Sequence, residues 1–328
     1  MSTECSTLTV RVAAPSRLHF GLLSVGPASQ PQFGGVGAMI DQPGLELIIR
    51  PSDQFQVVGQ HAERVRRVAN HVLESYPLEA GLRCCIEVTR AADHHVGLGT
   101  GTQLALSVTA GLLRYVGASD LTAVQLASLA GRARRSSIGT HGFLRGGLLY
   151  EEQKSDEQVL APLISRVALP DQWRWLLVYS DGYGLHGQDE KVAFELLPRV
   201  SEEVVAKLRS EINEQLLPAA RVGDYQWFSE SVHRYGLAAG SYFASQQSAG
   251  SFTTARTADV VEQLRKLGVC GVGQTSWGPT VFALCREDSH ANEIQRRMAS
   301  DAANSDLRFA IAAPNNTGAK IERHETSL

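Results

Sequence analysis

Glycines and threonines are concentrated at residues 97–102 (GLGTGT), directly before a long apolar run that ends near Arg114. Gly97, Gly99 and Gly101 can adopt backbone conformations closed to other residues, and they let a ligand approach the main chain. The first amides of a helix have no intrahelical acceptor, and the helix dipole favours an anion at that end. The segment therefore predicts a binding site for a diphosphate or a triphosphate.

The pattern alone does not identify the ligand, because glycine-rich turns before helices are common. The segment lacks the lysine of a P-loop. A dinucleotide-binding fold places its GxGxxG turn near the start of its domain, with an acid about twenty residues later. Neither arrangement fits this chain, so the prediction depends on backbone amides and on the hydroxyls of Thr100 and Thr102.

The composition is that of an ordinary globular protein. The chain has 328 residues, of which 43% are hydrophobic and 20% charged, and it is long enough for two domains. A formal net charge of −3 argues against a general basic field for nucleic acid and favours a small-molecule ligand. The sequence has neither an apolar run of about 18 residues nor a secretory signal, so we expect a cytoplasmic protein without membrane segments.

The cysteines predict neither a disulfide framework nor a zinc site. The chain has five of them, and no two form a CxxC pair: Cys5, Cys84, Cys85, Cys270 and Cys285. Disulfide-stapled and zinc-binding domains show paired spacings. We therefore expect buried, reduced thiols.

Apolar runs alternate with helical patterns in the first half of the chain, which predicts an α+β domain over residues 1–166. Strands are expected at 8–13, 45–49, 55–58 and 82–88, and helices at 61–75, 102–115 and 122–134. Arg132, Arg134 and Arg135 crowd the end of the last helix, where cations suit the helix dipole. They are therefore either dipole partners in solvent or part of the anion site.

A polar, charged stretch within residues 151–170 indicates a domain junction, so residues 167–328 are expected to form a second domain. Strands are expected at 173–180, 270–274, 280–285 and 307–312, and helices at 202–215, 223–235, 257–267 and 288–300. Helices that alternate with strands joined by tight turns predict an α+β sandwich.

Three glycine-bearing segments together resemble the motifs of a known superfamily. They are APSRLHFGLL with FGGVGAMID, then HVGLGTGTQLALS, then GVGQTSWGPTVFAL. In order and separation they are similar to the three motifs of the GHMP superfamily, and the resemblance covers nearly the whole chain. GTGTQLA and SWGPT, with RLHFGLL, FGGVG and SIGTHGFLRGG, are more similar to the β-ribofuranosylaminobenzene 5′-phosphate synthase branch than to the kinase branch.

The resemblance implies an α+β, two-domain GHMP-kinase-like fold with its site between the domains. The N-terminal domain would resemble ribosomal protein S5 domain 2, with a left-handed βαβ arrangement, and the C-terminal domain would be ferredoxin-like. The synthase branch implies condensation of 4-aminobenzoate with phosphoribosyl pyrophosphate, with loss of CO2 and pyrophosphate, in tetrahydromethanopterin biosynthesis. Mg²⁺ is expected with the diphosphate, no organic cofactor is required, and a homodimer is expected.

The resemblance also implies roles for individual side chains. Arg17 is a candidate anion clamp, or alternatively a salt-bridge partner at a strand end. His19 and His141 are candidates for proton transfer, or alternatively structural histidines. Substrate and phosphate binding is expected from His95, Gly97, Leu98, Gly99, Thr100, Gly101, Thr102, Arg132, Arg135, Lys191, Thr275 and Ser276. The sequence does not assign metal ligands, although Asp41, Asp181, Asp189 and Glu190 are available acids.

Two other functions remain open at this point. One is an ATP-dependent small-molecule kinase, in which an acid near the second motif often helps the acceptor hydroxyl. The corresponding residues here, 136–142 (SSIGTHG), offer His141 and no carboxylate. The other is a non-catalytic relative that binds a phosphorylated metabolite.

Overall fold

Two α+β domains, each built on one β-sheet, form the described part of the chain. The computed structural model describes residues 7–26, 30–76, 82–118, 121–180, 192–194, 196–197 and 199–326. Lys191, Asp181, Asp189 and Glu190, four of the candidate residues, lie outside this part.

The N-terminal sheet is built on two long antiparallel strands. Its members, in chain order, are β1 (Thr7–Ser24), β2 (Phe33–Pro51), β3 (Gln56–Gly59), β4 (Cys84–Arg90), β5 (Leu148–Glu151) and β6 (Leu163–Val167). Strands β1, β2 and β4 lie side by side, with β3 parallel to β4, while β5 pairs with β2 and β6 with β5. Helix α1 (Ala62–Ser75) connects the parallel pair β3 and β4. This part of the domain is therefore a βαβ unit.

Helix α2 (Thr100–Tyr115) is the most buried helix of the N-terminal domain and packs on β1 and β2. Its apolar residues share a core with the strand residues Val12 and Leu47. This burial holds the first turn of α2, which carries the glycine and threonine loop, at a fixed place on the sheet. Helix α4 (Ile138–Arg145) packs against both α2 and β1.

Helix α3 (Ala123–Leu129) is shorter than the expected helix over 122–134. It begins at a capping box made by Thr122 and Gln125. It ends early because Gly131 and Ala133 adopt left-handed backbone conformations with φ of 62° and 64°. The arginines expected at the end of this helix therefore lie on a turn, residues 131–135, which we call the arginine turn.

The C-terminal domain has a four-stranded antiparallel sheet. Its strands, β7 (Arg174–Tyr179), β8 (Val272–Gln274), β9 (Val281–Cys285) and β10 (Arg308–Ala312), lie in the order β10-β7-β9-β8. The helices are α5 (Glu202–Ser210), continued by a π-helical turn (Glu211–Leu216) and α6 (Leu217–Val222), then α7 (Tyr225–Ser241), α8 (Ala255–Lys266) and α9 (Asp288–Ala299). This strand order is that of the ferredoxin-like fold, so the expected fold class is confirmed.

The two domains share one hydrophobic core. Phe20 of β1 packs on Trp175 and Phe282 of the C-terminal sheet, with ring centroids 5.7 and 5.2 Å apart. The last strand, β11 (Lys320–Thr326), returns to the N-terminal sheet and pairs with β1. A division of the chain at residue 166 therefore omits this strand from the sheet to which it belongs.

The described cysteines are free thiols. Cys84, Cys85 and Cys285 are buried and Cys270 is partly buried. Burial raises the pKa of the Cys84 and Cys285 thiols to about 12, so both stay protonated at neutral pH. Among the helices of the described ranges, none combines the length and apolarity needed to cross a bilayer.

Candidate active site

A cleft of about 730 Å³ lies where the three glycine-bearing segments meet. Its walls come from β1, from the loop before α2, from the arginine turn, from α7 and from the turn between β8 and β9. None of the described residues that line it is acidic. The cleft is therefore positively charged, as an anionic ligand requires.

Thr275, in the turn between β8 and β9, fastens the three segments together. Its hydroxyl accepts a hydrogen bond from the amide of His19 and donates one to the carbonyl of Gly97, both at 3.0 Å. The next amide, that of Ser276, donates to the carbonyl of His19 at 3.1 Å. Thr275 is fully buried and does not line the cleft, so it joins the segments rather than contacting a ligand.

Gly97 lies where two loops touch. Its φ is 89°, and a Cβ atom there would lie only 2.3 Å from the carbonyl oxygen of Thr275. No other residue fits both the backbone conformation and the space. The loop is also tied to β1, because the amide of Arg17 donates to the carbonyl of Leu98 at 2.9 Å.

The first turn of α2 faces the cleft. Gly99 is its N-cap residue with φ of 73°, and its carbonyl accepts from the amides of Thr102 and Gln103. The amides of Thr100 and Gly101 precede these and have no acceptor within the helix. The Thr100 hydroxyl donates to the carbonyl of Asp93 and closes the loop. The amides at the start of α2 are thus the groups of this segment that are available to an anion.

Arginines from three elements surround this helix start. Arg17 packs against Gly99, and Arg64 of α1 lies so close to Gly101 that a Cβ atom there would be 2.4 Å from its Nη2. Arg132 of the arginine turn lines the same wall. Burial, together with Arg64 and Arg134, lowers the pKa of Arg132 to about 10. The like charges are held together before any ligand binds, which favours a polyanion.

Two histidines, His94 and His95, line the cleft near these arginines, at what we call its cationic end, and His61 packs against His94. The rings of His61 and His94 lie 3.6 Å apart, and His95, with φ of 65°, follows in the loop. Burial, with His61, Arg64 and His95 next to it, lowers the pKa of His94 to about 4. His94 is therefore neutral at physiological pH. It can hydrogen-bond to an anion without adding charge.

Lys154 anchors the arginine turn from behind. Its Nζ donates to the carbonyl of Ala133 in the middle of the turn, and to those of Gln158 and Val159 at 3.3 and 3.2 Å. The side chain is buried, so the ammonium depends on these three carbonyls for solvation. Lys154 thereby fixes the backbone that presents Arg132 and Arg135.

His19 is buried and connected to a second buried titratable group. Its Nε2 lies 3.0 Å from the hydroxyl of Ser136, and Ser136 lies beside the carboxyl of Glu151 and lowers its pKa. Glu151 is fully buried at the end of β5, and both of its oxygens accept from the amide of Ser137 at 2.9 Å. Burial raises the pKa of Glu151 to about 7, while burial and Arg17 hold that of His19 well below its usual value.

A second group of lining residues, which we call the aromatic end of the cleft, consists of packed rings. Trp277 packs against Phe243 and Phe194, with ring centroids 4.7 and 5.7 Å away. All three rings line the cleft. The guanidinium of Arg135 lies 4.4 Å above the centroid of the Phe194 ring. This places Arg135 with the aromatic side chains and not with the phosphate-binding arginines.

The structure brings most of the expected residues together and leaves two out. Arg17, His19, His95, Arg132, Arg135, Ser276 and residues 97–102 line the cleft. His141 does not, because α4 buries it and its Nε2 pairs with the carbonyl of Ala161 at 2.9 Å. The structure therefore places neither the His141 imidazole nor the Thr275 hydroxyl in the cleft lining.

No group of three or more His, Cys, Asp or Glu side chains that could hold a metal ion occurs in the described ranges. Asp41, an acid considered from the sequence, accepts from the amide of Ala313 at 2.7 Å and joins two chain segments.

Comparison with known proteins agrees with this architecture. Family models for the GHMP kinases N terminal domain and the GHMP kinases C terminal match residues 63–145 and 216–304. Homoserine kinase from Cytophaga hutchinsonii ATCC 33406 aligns with a TM-score of 0.66 at 16% identity, covering 96% of this chain and 97% of that one. Mevalonate diphosphate decarboxylase from Staphylococcus aureus aligns with a TM-score of 0.66 at 15% identity, covering 96% of this chain and 98% of that one. The protein has the two-domain GHMP fold.

Curated relatives define the branch. Beta-ribofuranosylphenol 5′-phosphate synthase from Archaeoglobus fulgidus is 30% identical over 95% of this chain and 99% of its own length. The protein of the same name from Methanothermobacter thermautotrophicus is 25% identical over 84% of this chain and 88% of its own length. The chain belongs to the GHMP superfamily and, within it, to the β-ribofuranosylphenol 5′-phosphate synthase family. The expectation of an enzyme of the synthase branch is confirmed.

Proposed function

We propose that the cleft joins phosphoribosyl pyrophosphate to a para-substituted benzoate, forming a C-riboside 5′-phosphate with release of CO2 and pyrophosphate. The observation that carries this proposal is that one cleft is lined both by a cluster of arginines and by a cluster of aromatic side chains. The two substrates differ in the same way, because phosphoribosyl pyrophosphate is highly anionic whereas a benzoate is mainly an aromatic ring. The cleft therefore offers each substrate a matching surface and lets them meet between the two ends.

The cationic end suits the diphosphate and its departure. As the bond between ribosyl C1 and the diphosphate breaks, negative charge grows on the leaving oxygen, and donors fixed in advance stabilise it. The amides of Thr100 and Gly101 and the guanidinium groups of Arg17, Arg64 and Arg132 are such donors. They need no rearrangement when the bond breaks, because Lys154 and the core already hold their supports.

The aromatic end suits the acceptor. A benzoate ring can pack against Phe243 and Trp277, while Arg135 supplies a cation for its carboxylate. The para substituent donates electron density to the ring carbon that bears the carboxylate, and this carbon attacks C1. Loss of CO2 then restores the aromatic ring. The apolar wall excludes water, which would otherwise capture the ribosyl cation.

The relatives' name specifies a phenol, whereas the sequence resemblance implied an aminobenzene. The two acceptors, 4-hydroxybenzoate and 4-aminobenzoate, differ only in the para substituent. We propose 4-hydroxybenzoate as the preferred acceptor on the strength of the relatives' name. In either case the product would enter tetrahydromethanopterin biosynthesis, and the protein would act on small molecules alone.

Magnesium is proposed as a companion of the diphosphate. Mg²⁺ keeps several waters and binds through few carboxylates and the substrate's own phosphate oxygens. The lack of a described metal-binding cluster is compatible with a cation that arrives on the substrate. When bound, it would neutralise diphosphate charge that the arginines leave uncompensated.

A kinase is the alternative, and the cleft lining speaks against it. Phosphoryl transfer of the kinase type uses an acid to orient the acceptor hydroxyl, and no described residue of the lining is acidic. The distinguishing experiment incubates the protein with phosphoribosyl pyrophosphate, Mg²⁺ and each benzoate, and identifies the product by NMR. A carbon–carbon link between ribose C1 and the ring supports the synthase. A phosphorylated alcohol formed only with ATP would support the kinase.

A further inference from the structure

The carboxyl of Glu151 is completely buried, and the reaction outlined above does not use it. Its charged neighbours are Arg17 of β1 and Lys154, and the phenol of Tyr235 on α7 also faces it. Tyr235 itself donates to the carbonyl of Gly21 at 2.9 Å. A buried acid without a full ion pair is costly, so its burial beside Ser136, which lines the cleft, calls for a reason.

Ser136 connects this carboxyl to the cleft. Its Oγ accepts from the amide of Ile138 at 3.2 Å, lies 3.0 Å from Nε2 of His19, and is near enough to the carboxyl of Glu151 to share its proton with it. A serine hydroxyl has only one proton to donate. The direction of the hydrogen bond at Glu151 therefore decides the direction of the one at His19.

The protonation state of Glu151 thus sets the tautomer of His19. When Glu151 is ionised, Ser136 donates to it and accepts from Nε2–H of His19, which leaves Nδ1 as an acceptor. When Glu151 is protonated, both hydrogen bonds reverse and Nδ1 carries the proton. The described residues give Nδ1 no hydrogen-bond partner, and the side chain lines the cleft.

A proton that reaches His19 need not remain there. A cationic imidazole is disfavoured because burial and Arg17 lower the pKa of His19. The same burial raises the pKa of Glu151 to about 7. When His19 accepts a proton at Nδ1, its Nε2 proton can pass to Ser136 and the Ser136 proton to Glu151. His19 therefore stays neutral throughout.

We propose that His19, Ser136 and Glu151 form a proton relay that removes the para hydroxyl proton of a phenolic acceptor and returns it after CO2 has left. The inference rests on the function proposed above and specifies its acceptor class. Only His19 contacts the substrate, and Ser136 and Glu151 act through it.

The protons and electrons balance. The acceptor's hydroxyl proton passes to Nδ1 of His19, the Nε2 proton to Ser136, and the Ser136 proton to Glu151. The resulting phenolate forms the bond from its carboxylate-bearing carbon to C1, and the C1–oxygen bond breaks with its electron pair leaving on the diphosphate. The carbon–carboxylate bond then breaks, its electrons restore the ring as a phenolate, and the relay returns the proton.

An amino acceptor makes no such demand. The nitrogen lone pair of 4-aminobenzoate activates the ring without losing a proton, so its reaction does not need the relay. The relay therefore matters for the phenol and is dispensable for the amine. This difference provides an internal control in a single protein.

The test compares Glu151→Gln with wild type on both acceptors. Because general acid–base groups contribute about 100-fold or more, we expect kcat with 4-hydroxybenzoate to fall about 100-fold. With 4-aminobenzoate we expect kcat to stay within about threefold of wild type, because no proton transfer is needed. Glu152→Gln is the matched control, since Glu152 is the adjacent acid and pairs with Arg209. It should leave both activities unchanged.

A fluorinated phenol separates the relay from a general structural defect. Fluorine beside the hydroxyl lowers the phenol's pKa, so such an acceptor arrives ionised and bypasses the relay. The ratio of wild-type to Glu151→Gln rates should then approach one. Ser136→Ala should behave like Glu151→Gln on all three acceptors.

The wild-type protein tests the relay even if Glu151→Gln fails to fold. Because the ionised form of Glu151 accepts the proton, kcat with 4-hydroxybenzoate should rise as pH increases through about 7. No such rise should occur with 4-aminobenzoate. Equal losses on both acceptors, or matching pH profiles, would overturn the relay. Wild type that releases no CO2 with any benzoate would instead refute the proposed function.

Discussion

The hydroxyl of Thr275 donates to the carbonyl of Gly97 across 3.0 Å and thereby joins the C-terminal domain to the phosphate-binding loop. The same oxygen accepts from the amide of His19 on β1. A single side chain thus ties the turn that carries Trp277 to β1 and to the loop before α2.

Thr275→Val should destabilise the protein by about 1 to 2 kcal/mol, because two buried backbone groups lose their partner. It should also raise KM for phosphoribosyl pyrophosphate, since the loop at Gly97 is no longer held. Thr280→Val is the matched control. Thr280 is equally buried, and its hydroxyl has no hydrogen-bond partner in the described structure. Urea unfolding and steady-state kinetics make the comparison, and equal effects of both changes would contradict the assigned role of Thr275.

Arg64→Gln should weaken pyrophosphate binding by about tenfold or more, the value of a charge-assisted hydrogen bond. The reason is the position of Arg64 against Gly101 at the start of α2. Calorimetric titration with pyrophosphate and Mg²⁺ measures the change. Arg66→Gln, at an exposed position two residues further along α1, should bind like wild type. An unchanged affinity of Arg64→Gln would remove this residue from the site.

Lys154→Met should lower affinity for phosphoribosyl pyrophosphate, although Lys154 does not line the cleft. The change removes the ammonium that holds the carbonyl of Ala133, so the turn carrying Arg132 loses its support. The expected result is a higher KM for this substrate. Lys207→Met removes only an exposed ion pair with Glu203 and should have no effect. A Lys154→Met variant with wild-type KM would show that the arginine turn keeps its conformation without Lys154.

Phe243→Leu should raise KM for the benzoate about tenfold while leaving KM for phosphoribosyl pyrophosphate unchanged, because an aromatic packing surface is lost. Phe33→Leu is the control, since Phe33 packs against Phe194 in the same cluster but does not line the cleft. Kinetics with each substrate varied in turn distinguish the two. A rise in KM for the diphosphate substrate instead would place the acceptor elsewhere.

Glu151 should make stability depend on pH. Its pKa is raised from 4.5 to about 7 in the folded protein, so the folded state holds a proton that the unfolded state releases. Stability relative to Glu151→Gln should therefore fall as pH rises from about 4.5 to about 7, and stay level outside that window. Chemical unfolding of both proteins across this range makes the comparison. A difference that does not vary with pH would mean that Glu151 is ionised as usual.

The glycine-rich loop before α2 could be predicted from the sequence because its signals are local. Glycines followed directly by an apolar helical run specify a turn and a helix start, and the helix begins at Thr100. The core strands were equally evident, since the apolar run 45–49 lies within β2 and the run 82–88 overlaps β4. Residues 97–102 therefore needed no tertiary information.

The rest of the site depends on contacts between distant segments. Arg64 lies on an amphipathic helix where an arginine is ordinarily a solvated side chain, and only its approach to Gly101 gives it a role. Glu151 ends a strand, and its link to His19 exists only after β1 and the turn at Ser136 meet. Its presence in an otherwise apolar strand, LLYE, was the one available signal. Trp277 and Phe243 come together for the same reason.

The most direct test of the proposed function measures CO2 and pyrophosphate when the purified protein meets carboxyl-labelled 4-hydroxybenzoate, phosphoribosyl pyrophosphate and Mg²⁺, with ATP absent. We predict equal amounts of both products, each requiring both substrates, and their joint loss in Arg64→Gln at low substrate concentration. Turnover that needs ATP and releases neither product would contradict the account and favour the kinase.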